Sequence, residues 1–483
     1  DLFRAPQKRQ ALLWKNLPLS WAKEGEQLCA LCALKRLWPT LFAQEVKGIT
    51  GKEQVRRFVV STHTMALVRD LVKANVSELP KALEAELRNG ERVAMPARFA
   101  RERSTDLDML ARVPALLDAV RNDEDERCRI ESKLKAWLGR NPEAYYGLIL
   151  FDGDKMGAWL QGNEPFARLK FEDCWHTQVK NAVQEKARQC PELRRYLEEH
   201  RPPSPARHAA ISAALNSFAL HLARYAVEEA HHGKLLYAGG DDVMAMVPVA
   251  ELLSCMRLLR LLYAGHVPDD VSLPEGIHRV ANGFVHIHGR LLRVMGERAT
   301  ASAGAVVAHH MTPLGRVLNQ LRDAEKQAKS LGGRDAFSIR VLKRSGGAVA
   351  TVARWFRTSP LDGDTLPEHP SVLLEELASV LGGKLLSRRA VYHVLAQLER
   401  LPDRTLVGDR MSAMLEAVLT RQFMRQFQSP EDNKEKERIR RLASRIAELS
   451  CAVAQGTEAE WLKGFLSVAE FLGREGRMGD GHE

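Results

Sequence analysis

A chain of 483 residues that is 45% hydrophobic and 27% charged has the composition of an ordinary globular protein, and it is longer than one hydrophobic core serves. Roughly three domains are expected. No apolar run approaches the ~20 residues that a membrane-spanning helix needs, so no membrane association is expected. The 71 Lys and Arg against 61 Asp and Glu leave a net charge of +10, which suits a polyanionic partner such as RNA, DNA or nucleotide. Seven cysteines without a regular framework argue against a disulfide scaffold and for a reducing compartment, of which the cytoplasm is the simplest. The first residue is Asp1, with no basic start and apolar stretch behind it, so a fragment of a longer protein is expected rather than a secreted chain.

Residues 1–140 read as a mainly helical domain, with helical apolar spacing over Ser61–Leu79 and Pro80–Asn89 and a charged stretch at Arg121–Lys135. Cys29-Ala-Leu-Cys32 has half the spacing of a zinc ribbon. A tetrahedral site needs four ligands and the chain has no second Cys-x-x-Cys, so a zinc half-site and a pair of buried helical cysteines both stand.

Residues 141–348 change character. Tyr145–Phe151 is a short apolar run of the buried-strand kind, ended by the turn Asp152-Gly153-Asp154. A polar, Pro-rich excursion follows. Ile211, Leu215, Phe218 and Leu222 then mark one face of a helix over 208–230. Two short strands, Lys234–Ala238 and Val243–Val247, flank Gly239-Gly240-Asp241-Asp242, which predicts a hairpin. A helix at Ala250–Tyr263, a strand at Ala299–Ala308, a helix at Pro313–Leu331 and a strand at Phe337–Leu342 complete the order β-α-β-β-α-β-α-β. The fold class is therefore α+β: a ferredoxin-like palm in which helices cover one face of an antiparallel sheet. Residues 349–370, rich in Pro, Gly and Asp, read as a linker, and 371–483 as a helical C-terminal domain with a charged run at Glu431–Arg441.

Phosphoryl transfer from a nucleoside triphosphate needs divalent ions held by a few carboxylates, so hard oxygen ligands must converge. A strand ending in Asp152 beside a hairpin presenting Asp241 and Asp242 would place three carboxylates at one sheet edge, where Mg²⁺ or Mn²⁺ would sit. Gly239 and Gly240 would let the hairpin turn with positive φ and let the backbone approach a phosphate. Gly-Gly-Asp-Asp is also an ordinary turn composition, and Asp362-Gly363-Asp364 repeats the first acidic turn inside the expected linker with no apolar strand before it. Context separates the two copies. Lys326, Lys329 and Arg334, at the end of a helix and in the turn after it, could meet a triphosphate or be solvated surface charge. His309 and His310 follow a strand on adjacent positions, which point to opposite faces, so they do not form a metal pair.

These residues resemble a family: the large polymerase/cyclase subunit of type III CRISPR effector complexes, particularly the III-B (Cmr-type) branch. The resemblance rests on four motifs in order. They are Tyr145-Tyr-Gly-Leu-Ile-Leu-Phe-Asp-Gly-Asp-Lys-Met-Gly157, Leu236-Tyr-Ala-Gly-Gly-Asp-Asp-Val243, Ser302-Ala-Gly with Ala308-His-His, and Gly333-Arg-Asp-Ala-Phe-Ser-Ile-Arg-Val-Leu-Lys-Arg-Ser-Gly346. The Cys29–Arg36 segment is similar to the family's zinc-binding region. The resemblance implies synthesis of cyclic oligoadenylates from ATP, switched on when a guide crRNA pairs with target RNA, in a complex with other subunits. It makes Asp152, Asp241 and Asp242 the metal-binding and catalytic residues. It makes Gly153, Asp154, Gly239, Gly240, Lys329 and Arg334 nucleotide-binding, and Cys29 and Cys32 ligands of Zn²⁺. Family members commonly carry a nuclease domain marked by His-Asp, yet none of the 16 histidines here is followed by Asp, so no nuclease activity is expected of this chain. A diguanylate cyclase shares the palm and a Gly-Gly-Asp/Glu-Glu-Phe hairpin, but Val243 follows Asp242 and no sensor domain is seen. The alternative of another class is a scaffold that binds nucleotide or RNA without turnover.

Overall fold

The computed structural model describes residues 30–50, 59–120, 123–268, 271–273, 276–361, 365–402, 404–429, 431–454 and 456–476. Contacts divide the chain into two units: Asp1–Thr64 with Asn75–Met95 and Thr105–Arg140, and Met65–Ala74 with Pro96–Ser104 and Asn141–Glu483. Two segments of the expected 1–140 domain thus go with the second unit. Among the described residues no helix is long and apolar enough to cross a membrane.

The described part of the first unit is helical, as its periodicity predicts. Helix Glu124–Leu138 starts where the Asp123 carboxylate accepts from the Glu126 amide at 3.0 Å, and it ends at Gly139 in the left-handed region. Ile130, Leu134 and Trp137, spaced by four and three, form its buried face. Cys29 lies outside the described residues, as do the side chain of Cys32 and the turn Asp362-Gly363-Asp364.

The second unit is built on a six-stranded sheet. Its strands are β1 (Tyr145–Gly153), β2 (Lys234–Ala238), β3 (Val243–Pro248), β7 (Ala301–His309), β8 (Ala336–Leu342) and β9 (Ala348–Arg354), in the order β2-β3-β1-β7-β8-β9. All pairs are antiparallel except β7 with β8, which the crossover helix Leu314–Ser330 connects. A separate three-stranded sheet, β4 (Ile277–Ala281), β5 (Phe284–Ile287) and β6 (Arg290–Arg293), was not expected. Nor was β9. Residues 348–354, expected as the end of the palm and the start of a linker, form an edge strand whose Val352 carbonyl accepts from the Trp461 indole at 2.8 Å.

Helices cover both faces of the sheet, which corrects the expectation of one. A side chain at Gly147 would run into Leu252 of helix Leu252–Ala264 at 2.7 Å, whereas one at Gly304 would collide with the backbone of Glu325 on the crossover helix, 2.7 Å from its Cα. Gly304 pairs with Leu150, three positions from Gly147, so alternation puts the two helices on opposite sides. The predicted helix over 208–230 is an α-helix at Pro205–Ser217 that continues through π-helical turns at Phe218–Leu222 and Tyr225–Glu229. The C-terminal helices Pro370–Gly382 and Glu458–Glu475 share the hydrophobic core on the Leu252–Ala264 face.

A buried histidine ties helix Ala97–Glu102 to this unit. His232 sits between Glu251 and Glu102, with a ring nitrogen 2.7 Å from an oxygen of each. Burial raises the Glu251 pKa, but the hydrogen bond and charge of His232 overcome it and hold the group at about 2, below its ordinary 4.5. The two carboxylates likewise overcome burial at His232 and lift it above 6.5. Stability from Glu251 is therefore present above pH 4.5 and lost as pH falls toward 2; stability from His232 is present below pH 6.5 and lost as pH rises through its folded value. Urea midpoints measured across pH should fall at both ends, and His232→Gln should flatten the profile. An unchanged profile in that variant would dissociate the triad from pH stability.

Candidate active site

Asp152 is the penultimate residue of β1 and pairs with Ser302 of β7. Strand alternation turns it to the crossover-helix face, where the Lys329 ammonium bridges Asp152 and Glu325, the latter at 2.5 Å. Glu325 was missed by sequence reading, although its i,i+4 spacing to Lys329 was a visible signal. Gly153, one position on, faces the other side: a side chain there would lie 2.9 Å from the Asp241 Cβ and against the Tyr263 hydroxyl. It is a packing glycine that lets the hairpin close on β1.

The pairing of Phe151 with Val243 brings the hairpin beside Asp152. Two main-chain bonds set it there: the Gly153 amide donates to the Asp241 carbonyl at 3.1 Å, and the Gly239 amide donates to the Asp242 carbonyl at 3.0 Å. Of the two hairpin glycines, only Gly240 has positive φ, at +117°. A side chain at Gly239 would meet the Tyr237 hydroxyl and come within 2.6 Å of the Asp242 Oδ1, both outer ends of side chains that can turn aside.

Burial raises the Asp241 pKa, the charges of Asp152 and Asp242 raise it further, and Lys329 opposes them. The charges of both other acids thus act on Asp241. Among the described residues, however, no three His, Cys, Asp or Glu side chains converge into a ready-made metal site. The ammonium of Lys329, placed on Asp152, supplies the positive charge that the cluster lacks. The donor set itself is one of hard carboxylate oxygens, which suits Mg²⁺ or Mn²⁺.

Asp154 is placed differently from the expectation of nucleotide contact. It is 1% exposed and accepts from Thr300 Oγ1 at 2.9 Å, Ser302 Oγ at 2.8 Å and the Asp335 amide at 2.9 Å. Burial raises its pKa against these bonds. It is an internal brace that joins the ends of β1 and β7 to the turn before β8. Arg334 stands 3.6 Å from that carboxylate, and both Arg334 and Asp335 have positive φ, at 71° and 47°. The strained turn is held by the buried pair of Asp335 with Arg260 at 2.7 Å, another interaction not foreseen. No ion pair of Lys326 is seen among the described residues. His309 and His310 lie at the far end of the sheet, His309 opposite Tyr145, with rings stacked at 4.6 Å. Alternation to opposite faces fails because His310 is already past the strand.

An acid-ended strand beside an acid-tipped hairpin on this sheet defines a palm of the nucleotidyltransferase-type fold. Residues 145–338 match the family Cas10/Cmr2, second palm domain. The palm of this chain is thus of the Cas10/Cmr2 second-palm kind. It is 25% identical over 471 residues, 95% of its length, to the CRISPR system Cmr subunit Cmr2 of Pyrococcus furiosus, and 30% identical over 131 residues to the Cmr2 subunit of Saccharolobus solfataricus. Those alignments span 46% and 12% of the relatives and, for the second, 26% of this chain, so the chain spans less than half of the curated relatives that it matches. The fold is also similar to a chain of the type III-B Cmr-beta complex bound to cognate target RNA, with a TM-score of 0.60 at 18% identity over 88% of this chain and 50% of that one. A chain of the apo complex aligns with the same TM-score at 17% identity, covering 84% of this chain and 48% of its own.

Proposed function

We propose that this chain is part of the large subunit of a type III-B RNA-guided effector complex. In that role its palm synthesises cyclic oligoadenylates from ATP when a guide crRNA pairs with target RNA. The observation that carries the reading is the juxtaposition of Asp152 with Asp241 and Asp242, 89 residues further along the chain, and with Lys329, 177 residues away. The Cmr-beta likeness, including a complex with target RNA, supports the partners: guide crRNA, target RNA and other subunits.

Asp152, Asp241 and Asp242 would hold Mg²⁺ or Mn²⁺, whose charge would stabilise the triphosphate and favour an attacking 3′-hydroxyl. Lys329 orients Asp152, and Glu325 fixes the ammonium in turn. Lys329→Met would leave Asp152 and Glu325 without their cation, and turnover is expected to fall about 100-fold or more. Initial rates of product formation check this; a rate within about twofold of the parent would remove Lys329 from the site.

The placement of the Lys329 ammonium on Asp152, one of the candidate metal ligands, favours a second reading, a scaffold that binds nucleotide or RNA without turnover. The assembled complex, incubated with guide RNA, ATP and Mg²⁺ with and without matching target RNA, separates the two by mass spectrometry. Cyclic adenylates that depend on target RNA support the cyclase. No product, with assembly and target binding intact, supports the scaffold.

A further inference from the structure

Three arginines, Arg201, Arg207 and Arg298, converge on the consecutive residues Ala167, Arg168 and Leu169, of which Arg168 brings a fourth guanidinium. The Arg207 guanidinium donates to the Ala167 carbonyl at 2.5 Å and the Trp159 carbonyl at 3.0 Å. The Arg298 guanidinium donates to the Arg168 carbonyl at 3.3 Å, and the Arg201 amide donates to the Leu169 carbonyl at 2.7 Å. Arg168 itself is exposed, while Arg201 and Arg298 are half-buried.

Arg207 is only 7% exposed, and its Nη1 is fully buried with no acceptor, close against Gly162. Buried charge is normally matched by a partner of opposite sign. Here none of Arg168, Arg201, Arg207 and Arg298 makes an ion pair among the described residues. Glu172 and Asp173, on the same segment, are engaged by Lys170 at 3.8 Å and Lys180 at 3.1 Å. Burial lowers the Arg207 pKa, the Cys174 thiol opposes this, and the charges of Arg201 and Arg298 lower it further, as expected of cations gathered without an anion.

The cluster adjoins the palm edge. Arg298 comes three residues before Ala301, which pairs with Gly153, and Lys155 follows Asp154 with its ammonium 5.0 Å from the centre of the Phe166 ring. We propose that Arg168, Arg201 and Arg298, with the buried charge of Arg207 behind them, bind the phosphates of a nucleotide chain beside the carboxylate edge. Phosphate oxygens accept several guanidinium hydrogen bonds at once, and a row of phosphates supplies the anion that the cluster lacks. The site stands on the arginines alone and does not require that the palm turn over ATP.

The test is fluorescence anisotropy of a labelled short oligoadenylate RNA titrated with the full chain in EDTA, so that carboxylate-bound metal plays no part. Titrations span about 50 to 200 mM salt. Arg201→Ala/Arg298→Ala should weaken binding roughly tenfold or more and make the logarithmic salt dependence shallower by about 1.4, the loss of two single-strand phosphate contacts. Arg421→Ala/Arg425→Ala, which removes the same charge from exposed positions on a C-terminal helix, should change neither. Arg168→Glu, at an exposed position whose side chain donates to the Asn163 carbonyl at 3.0 Å, repeats the reading in a single variant. Excess ATP that fails to displace the RNA identifies a chain as the ligand; ATP that displaces it, with ATP binding equally weakened in Arg168→Glu, identifies a triphosphate held by the same groups. RNA and ATP affinities and salt slopes in Arg168→Glu that match the parent would overturn the proposal.

Discussion

Alanine at both Asp241 and Asp242 is expected to lower cyclic oligoadenylate formation by about 10⁴-fold, the rate equivalent of the several kcal/mol that metal-held phosphates contribute. The substitution is clean because the hairpin is closed by main-chain groups: Gly239 N–H to the Asp242 carbonyl and Gly153 N–H to the Asp241 carbonyl both survive it. It also removes the Asp241 carboxylate, whose charge is opposed by burial and by Asp152 and Asp242, so thermal stability should hold or rise slightly. Product quantified by mass spectrometry, beside a melting curve and target-RNA binding, checks all three statements. Product retained within about tenfold of the parent would place the chemistry elsewhere in the complex. Product lost together with melting temperature would mean that the acids hold the hairpin rather than the reaction.

Gly304→Val is expected to destabilise the second unit by about 3 kcal/mol or more. A Cβ there would fall on the Glu325 amide nitrogen and 2.7 Å from the Glu325 Cα, and those are backbone atoms of a helix with nowhere to swing. Relief requires the crossover helix to lift from β7, which carries Lys329 and Glu325 away from Asp152. Stability and the carboxylate edge should therefore fail together. Gly315 is a control on the same helix: a Cβ meets nothing within 4 Å, so Gly315→Ala should lie within about 1 kcal/mol of the parent. Urea unfolding of the two variants measures this, and a Gly304→Val midpoint equal to that of Gly315→Ala would show that the helix gives way without cost.

Sequence by itself determined the palm. Tyr145–Phe151, Lys234–Ala238, Val243–Val247, Ala299–Ala308 and Phe337–Leu342 were legible because each is a short apolar or β-branched run, and the structure moves their limits by only one or two residues. The acidic hairpin was legible because a Gly-Gly turn between two such runs has few other conformations. The family was legible because four motifs occur in order. What tertiary structure alone decided is everything that depends on register and burial. β9 is Ala-rich and half-exposed, and β4–β6 are four or five residues long with His and Arg among them, so none carries a strong local signal. Asp152 and Asp154 are two residues apart and chemically identical, yet one faces Lys329 across 177 residues of sequence while the other is buried under Thr300, Ser302 and Asp335. Gly239 and Gly240 likewise read alike, but only Gly240 is held to glycine by its dihedral angle. The four arginines are scattered over 131 positions from 168 to 298, and Arg201, Arg207 and Arg298 come to Arg168 because hydrogen bonds to residues 167–169 gather them. Local periodicity states which element a residue belongs to; the environment that gives its charge a role is assembled from elements far away in the chain.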